Sequence, residues 1–251
     1  MRSVIHEDIK NKSTLLVTIG DSWTWGDSID NISSSGTLDS PKRLVSIYGY
    51  HLQNLLGDCD WINLGYPGTG NRWIIDCALR FDLIQPMTNY KNIILSVGLT
   101  DIGRDTYPRY DTRLGISFQQ FAEKTEQEFL TKLKTLENNP NITLLVSRNF
   151  TSTFEKNKSV IKNHLPNKWI DISKNNWDPV YNLAECFTLN YPDTLSTIEK
   201  EWAIAVGIPT SQSVIDFLIK CPLHYNTGSK HPTEEGHKFW AEYLHDYICH
   251  L

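Results

Sequence analysis

The 251-residue chain predicts an α/β protein, a three-layer α/β/α sandwich around a central, mainly parallel sheet of about five strands. Three observations carry this. Short apolar runs recur along the chain, and the first three are each followed by a segment whose apolar residues return at helical spacing. The runs are nearly continuous in Leu, Ile and Val rather than alternating, as expected of strands with helices over both faces. Several of them stop at a glycine, where the chain is free to turn.

In chain order, Leu15-Leu16-Val17 is the first strand, running into Thr18-Ile19-Gly20-Asp21-Ser22-Trp23. Asp27 to Ser40 is too polar and glycine-bearing for a core element and reads as a loop. Leu44, Ile47, Tyr48, His51, Leu52 and Leu55 predict one amphipathic helix that ends near Gly57. Trp61-Ile62-Asn63-Leu64 is a second strand, closed by the glycine-rich loop Gly65-Tyr66-Pro67-Gly68-Thr69-Gly70-Asn71. Trp73, Ile74, Cys77, Ala78, Phe81 and Ile84 line the next helix, with Pro86 just past its end.

Asn92 to Val97 is the third strand and leads into Gly98-Leu99-Thr100-Asp101. Phe118 to Leu136 predicts a long helix, Ile142 to Val146 a fourth strand and Trp169 to Ile172 a fifth. From Ser173 to Thr227 the pattern is helical without a convincing strand. That segment reads as a helical insertion, either a wall or lid over a site or an extra packing layer. In the closing segment Thr233 and its glutamates cap a helix built on Phe239, Trp240, Tyr243 and Leu244. His231 lies in the loop before that helix, and His237 inside it is structural. With no internal repeat or linker, residues 1–251 read as a single domain carrying an insertion at about 173–227.

Composition narrows the function. A formal net charge of −5 and the lack of any basic run argue against nucleic-acid binding. Five scattered cysteines without close pairs suggest neither a zinc site nor a disulfide framework. No apolar stretch has the length of a membrane span, and Met1 to Asp8 lacks the apolar core of a signal peptide. The expectation is a soluble cytoplasmic protein with no metal or organic cofactor. The glycine-rich loop lacks a Gly-Lys-Ser/Thr and a Gly-x-Gly-x-x-Gly, so it is a poor nucleotide cradle. Asp21 and Asp101 form a weak case for paired carboxylates.

Gly20-Asp21-Ser22 after the first strand, Gly68 after the second, Gly98-Leu99-Thr100-Asp101 after the third and His231-Pro232 near the end together resemble the SGNH (GDSL) hydrolase family. The resemblance spans most of the chain and implies a flavodoxin-like sandwich acting as a serine esterase. On it Ser22 is the nucleophile, and its N–H, the Gly68 N–H and Thr100 form the oxyanion hole. His231 is the base, because a serine is a poor nucleophile until a base at roughly 3 Å takes its proton. The implied substrate is a small-molecule or carbohydrate ester, an O-acetyl group in particular.

Two departures from the pattern stand out. Thr100 occupies the usual asparagine position, so either Thr100 or Asn71 would complete the oxyanion hole, and one lost donor costs about a hundred- to thousandfold in rate. Gly228 stands where an aspartate usually orients the histidine, leaving Ser229, a backbone carbonyl or a distant Asp for that task. A triad without its acid loses about ten-thousandfold. Trp23, Asn71 and Arg104 are the candidate substrate contacts. A catalytically weakened binding module and an acyltransferase are the alternatives, and the oligomeric state stays open.

Overall fold

The computed structural model describes residues 4–5, 12–27, 29, 41–83, 89–100, 103–106, 108–109, 111–148, 225–226, 231–232 and 234–250. Five strands form the main sheet: β1 (Val4–Ile5), β2 (Thr14–Gly20), β3 (Cys59–Gly65), β4 (Asn92–Leu99) and β5 (Ile142–Arg148). Their order is β1-β3-β2-β4-β5. The last four strands are parallel, while β1 runs antiparallel along the outer side of β3 through Val4 opposite Asn63 and Ile5 opposite Ile62. Four of the five predicted strands are thus present. The proposed strand at 169–172 and the proposed insertion at 173–227 fall outside the described residues, except for the short strand at Tyr225–Asn226.

Both faces of the sheet are covered, which is why β2 is buried at every residue after Thr14. On one face Leu15, Val17, Ile19, Leu95 and Val146 pack against α4 (Asn71–Arg80) and α6 (Phe118–Lys134), through Ile74, Ala78 and Leu130 among others. On the other face Leu16, Trp61, Ile94 and Leu145 meet α3 (Tyr48–Leu56) and α7 (Glu234–Cys249) through Leu52, Trp240 and Leu244. This is the predicted three-layer arrangement. Among the described residues no helix is long and apolar enough to cross a membrane.

The single helix read from Leu44 to Leu55 is two: α2 (Pro41–Ser46) and α3, separated by Ile47 in an extended conformation (φ −91°, ψ 156°). Ile47 has no side-chain cap to offer. The first N–H of α3 is met instead from another element, Tyr48 N–H donating to Nδ1 of the buried His237 on α7 at 3.2 Å. That bond requires Nδ1 to be the acceptor nitrogen of the ring. The expected structural role of His237 therefore has a definite form, a helix cap supplied in trans. α3 can lie this close to the sheet because Gly49 has no side chain: a Cβ there would stand 2.5 Å from the Trp61 indole nitrogen.

Beyond the sheet, β6 (Tyr225–Asn226) and β7 (His231–Pro232) pair antiparallel, with Asn226 opposite His231. The sequence reading placed His231 in an unpaired loop. A two-residue strand has too little periodicity to be recognised, and its pairing is tertiary.

Candidate active site

From β2 the chain crosses to β3 on one side and then returns to β4 on the other. This is the flavodoxin-like order, and in such sheets ligands sit outside the carboxyl ends of the strands where the direction of winding reverses. The reversal lies between β2 and β4. Asp21 and Ser22 follow the end of β2, and Thr100 follows the end of β4.

Ser22 is the first residue of α1 (Ser22–Trp25). Asp21 caps this turn, its Oδ1 accepting from the Trp23 N–H at 3.1 Å, and Gly26 ends it in the left-handed region at φ 83°. The turn is seated tightly on the sheet. A Cβ on Gly65 would lie 2.6 Å from the Trp25 nitrogen and 2.8 Å from the Thr24 carbonyl carbon, both backbone atoms. One on Gly20 would collide with the Thr24 hydroxyl. Gly65→Ala should therefore lift α1 and displace Ser22, with an expected loss of about a hundredfold in kcat for an ångström of misplacement. Steady-state kinetics beside a thermal melt would separate that from unfolding.

Beneath the turn lies a buried polar network that sequence reasoning missed. Asn63 donates from Nδ2 to the Thr24 carbonyl at 3.3 Å, and its Oδ1 accepts from the Gly65 N–H at 2.9 Å and the Thr18 hydroxyl at 3.2 Å. The Trp61 indole N–H donates to Thr18 Oγ1 at 3.0 Å. The Tyr48 hydroxyl lies 3.3 Å from Ser96 Oγ. Burial, aided by the nearby Asp21 charge and offset by hydrogen bonds to Ser96 and Thr24, pushes the Tyr48 phenol up to about 12. The signal available was an asparagine between Ile62 and Leu64 in a buried strand, since a polar side chain placed there needs partners.

Thr100 is fully buried, and its backbone is gripped by Asn71. Asn71 Oδ1 accepts from the Thr100 N–H at 2.8 Å, while Asn71 Nδ2 donates to the Thr100 carbonyl at 2.9 Å. Asn71 is itself buried, so its amide faces inward and holds the loop after β4 instead of meeting a ligand. Asn71→Ala would leave both Thr100 groups unsatisfied, and a loss of about 3 kcal/mol is expected in urea unfolding. The Thr100 hydroxyl has no hydrogen-bond partner among the described residues. Gly68 is exposed at φ 75° with open space where a side chain would project, so its N–H can be approached closely.

Trp23 is 5% exposed and belongs to the core under α3 and α7, which removes it from the candidate substrate contacts. Trp25 is buried too, with the Arg43 guanidinium 3.6 Å above its ring. Arg104, in α5 (Gly103–Thr106), links loops: its Nη1 donates to the Thr69 carbonyl at 3.1 Å and lies 3.6 Å from Asp21 Oδ2. Its neighbour Asp105 was missed. α4 begins at Gly70, which has no side chain to cap it, and the Asp105 carboxylate accepts from the Asn71 and Arg72 N–H groups at 2.6 and 3.1 Å. Burial pushes the Asp105 carboxyl up, against the pull of those two N–H bonds. Asp101, Gly228, Ser229 and Lys230 lie outside the described residues.

One long-range approach completes the site. β7, which bears His231, lies within 8 Å of α1, Cα to Cα, although the two are far apart in sequence.

Neither a protein-family model nor a curated protein matches the chain. Several solved structures are similar to it. A lipase/acylhydrolase from Enterococcus faecalis shares 13% identity over 94% of this chain and 95% of that one, at a TM-score of 0.43. A lipase from a goat rumen metagenome shares 13% over 92% and 95%, at 0.42. An acetylxylan esterase from Geobacillus stearothermophilus shares 17% over 83% and 91%, at 0.36. Likenesses this slight decide nothing about the chemistry, which rests on the chain's own residues. The fold and site define an α/β/α protein with a buried serine turn at the sheet's switch point.

Proposed function

We propose that the chain is a serine esterase of the SGNH (GDSL) type, cleaving a carboxylic ester through an acyl-serine intermediate, with an O-acetyl group on a carbohydrate as the working substrate. The observation that carries this reading is the approach of β7, with His231, to α1, with Ser22, at the carboxyl end of β2. That point is where such sheets bind their ligands.

In this mechanism Ser22 Oγ attacks the ester carbonyl as His231 takes its proton. The charge that develops on the carbonyl oxygen is met by the N–H groups of Ser22 and Gly68. The Thr100 hydroxyl, the third expected donor, is fully buried with no partner among the described residues and would have to turn outward to join them. The tetrahedral adduct collapses, the C–O bond to the alcohol breaks, and the alcohol leaves with the proton from His231. Water then attacks the acyl-serine with His231 again as base, releasing the acid and regenerating the hydroxyl of Ser22.

The test is to quench a reaction with 4-nitrophenyl acetate in acid and map the peptides by mass. A single acetyl group on the peptide bearing Ser22, with acetate and 4-nitrophenol released in equal amounts, is the expected result. Acetyl passed to an added alcohol instead of water would identify an acyltransferase. No acetylation and no turnover above buffer would leave the binding module.

A further inference from the structure

We propose that Arg104 receives an anionic group of the substrate, so that the ester cleaved at Ser22 carries a carboxylate. This rests on the esterase reading above and adds the class of ester.

The chain as a whole is acidic, at a formal −5. Yet the loops at the carboxyl ends of β3 and β4 gather Arg72, Arg104 and Arg109, all exposed. The charges of Arg72 and Arg109 both bear on Asp105, the residue next to Arg104 in the chain. Among the described residues two carboxylates oppose these cations. Asp105 is turned to the start of α4 through its two N–H bonds, and Asp21 is fully buried on the Nη1 side of Arg104. Glu128, which also feels Arg72 and Arg109, is paired with Lys132 at 2.9 Å. Arg109 lies 6.0 Å from the Phe121 ring centroid.

Arg104 stands apart in how it is held. Every bond it makes among the described residues runs through Nη1, to Thr69 O and toward Asp21. Those two contacts hold Nη1, and among the described residues the edge formed by Nε and Nη2 has no partner. That edge presents two parallel N–H groups, the arrangement that a carboxylate accepts with both oxygens. Its location is the second part of the inference. The guanidinium bridges Thr69, the residue after Gly68, and Asp21, the residue before Ser22. A group docked on it lies beside the serine turn and the open face of Gly68. The side chain is 36% exposed, enough for a ligand to reach and little enough to keep it oriented.

The experiment compares matched esters with and without a carboxylate. Mono-4-nitrophenyl succinate against 4-nitrophenyl butyrate places the charge on the acyl side, and 4-acetoxybenzoate against its methyl ester places it on the alcohol side. The full chain should favour the anionic member of at least one pair in kcat/KM by about tenfold or more, the scale of one charge-assisted hydrogen bond. The preference should shrink in about 0.5 M sodium chloride, as an exposed charge contact does. Arg104→Met should lower the anionic-to-neutral ratio by about tenfold, and Arg104→Lys should restore part of it, because the charge returns without the fork. If Arg104 merely ties the loops together, Arg104→Met would slow both members of each pair equally and the ratio would not move. That outcome, or a wild-type chain that disfavours both anionic esters, would overturn the proposal. A fluorophosphonate run on the same samples separates the two levels: labelling with an unmoved ratio overturns the anion site alone, and no labelling of folded protein overturns the esterase reading and this proposal with it.

Discussion

Ser22→Ala is expected to abolish ester hydrolysis, lowering kcat by about a millionfold if the serine and its base act as a unit. The substitution removes one oxygen from a side chain that is 6% exposed at the head of α1. The seat of that turn is built by other atoms: the Asp21 cap on Trp23 N–H, the Asn63 bond to the Thr24 carbonyl, and the contact with Gly20 and Gly65. None of these uses Oγ, and a thermal melt of the variant beside the parent separates loss of the nucleophile from loss of the fold. Any residual rate would come from the oxyanion donors and from binding, and would bring no acyl-enzyme. Stopped-time mass spectra beside progress curves check both points. A variant that still releases 4-nitrophenol with an acetyl group elsewhere on the chain would remove Ser22 from its role.

His231→Ala carries the second large effect, a loss of the same order, because the serine is not activated without its base. β7 is anchored by pairing to β6 through Asn226 and Tyr225, and it is followed by α7, whose Trp240 and Leu244 are in the core. The backbone at position 231 should hold its place when the ring is removed. His231→Ala should therefore keep binding a substrate analogue with little change in Kd while losing turnover, and added imidazole should restore part of the rate. Equal losses in binding and turnover would instead mark the histidine as a structural support.

The parts of the fold that were legible in the sequence are those whose cause is local. β2, β3, β4 and β5 are apolar runs ended by polar or glycine-bearing turns, and covered strands must have that composition. α6 is legible as a long helical pattern from Phe118 to Leu136, and the structure starts it with a capping box of Ser117 and Gln120. The serine turn was legible for the same reason, as a glycine and two polar residues directly after a buried strand.

What was not legible depends on partners remote in sequence. β1 has only two residues and exists by pairing with Asn63 and Ile62. The break at Ile47 interrupts a perfect helical spacing and is sustained by His237 on another helix. Trp23, next to Ser22, stands among the candidate substrate contacts in the sequence, but it is buried in the core shared with α3 and α7. Asn71 stands among the candidate substrate contacts because it closes a glycine-rich loop, and Arg104 because it follows the block after the third strand. Only the coordinates reveal that Asn71 grips the Thr100 backbone and that Asp105 caps α4 from a different loop. Spacing along a chain has no information about such cross-loop bonds, and they are what turn three separate strand ends into one site.

The central claim is that Ser22 is an activated nucleophile and that His231 activates it. Intact-mass labelling with a small fluorophosphonate tests this most directly, since the probe reports activation and needs no guess at the natural ester. One adduct is expected on the unmodified chain and none on either Ser22→Ala or His231→Ala. No adduct on well-folded protein at long times, or an adduct that persists in His231→Ala at the parental rate, would contradict it.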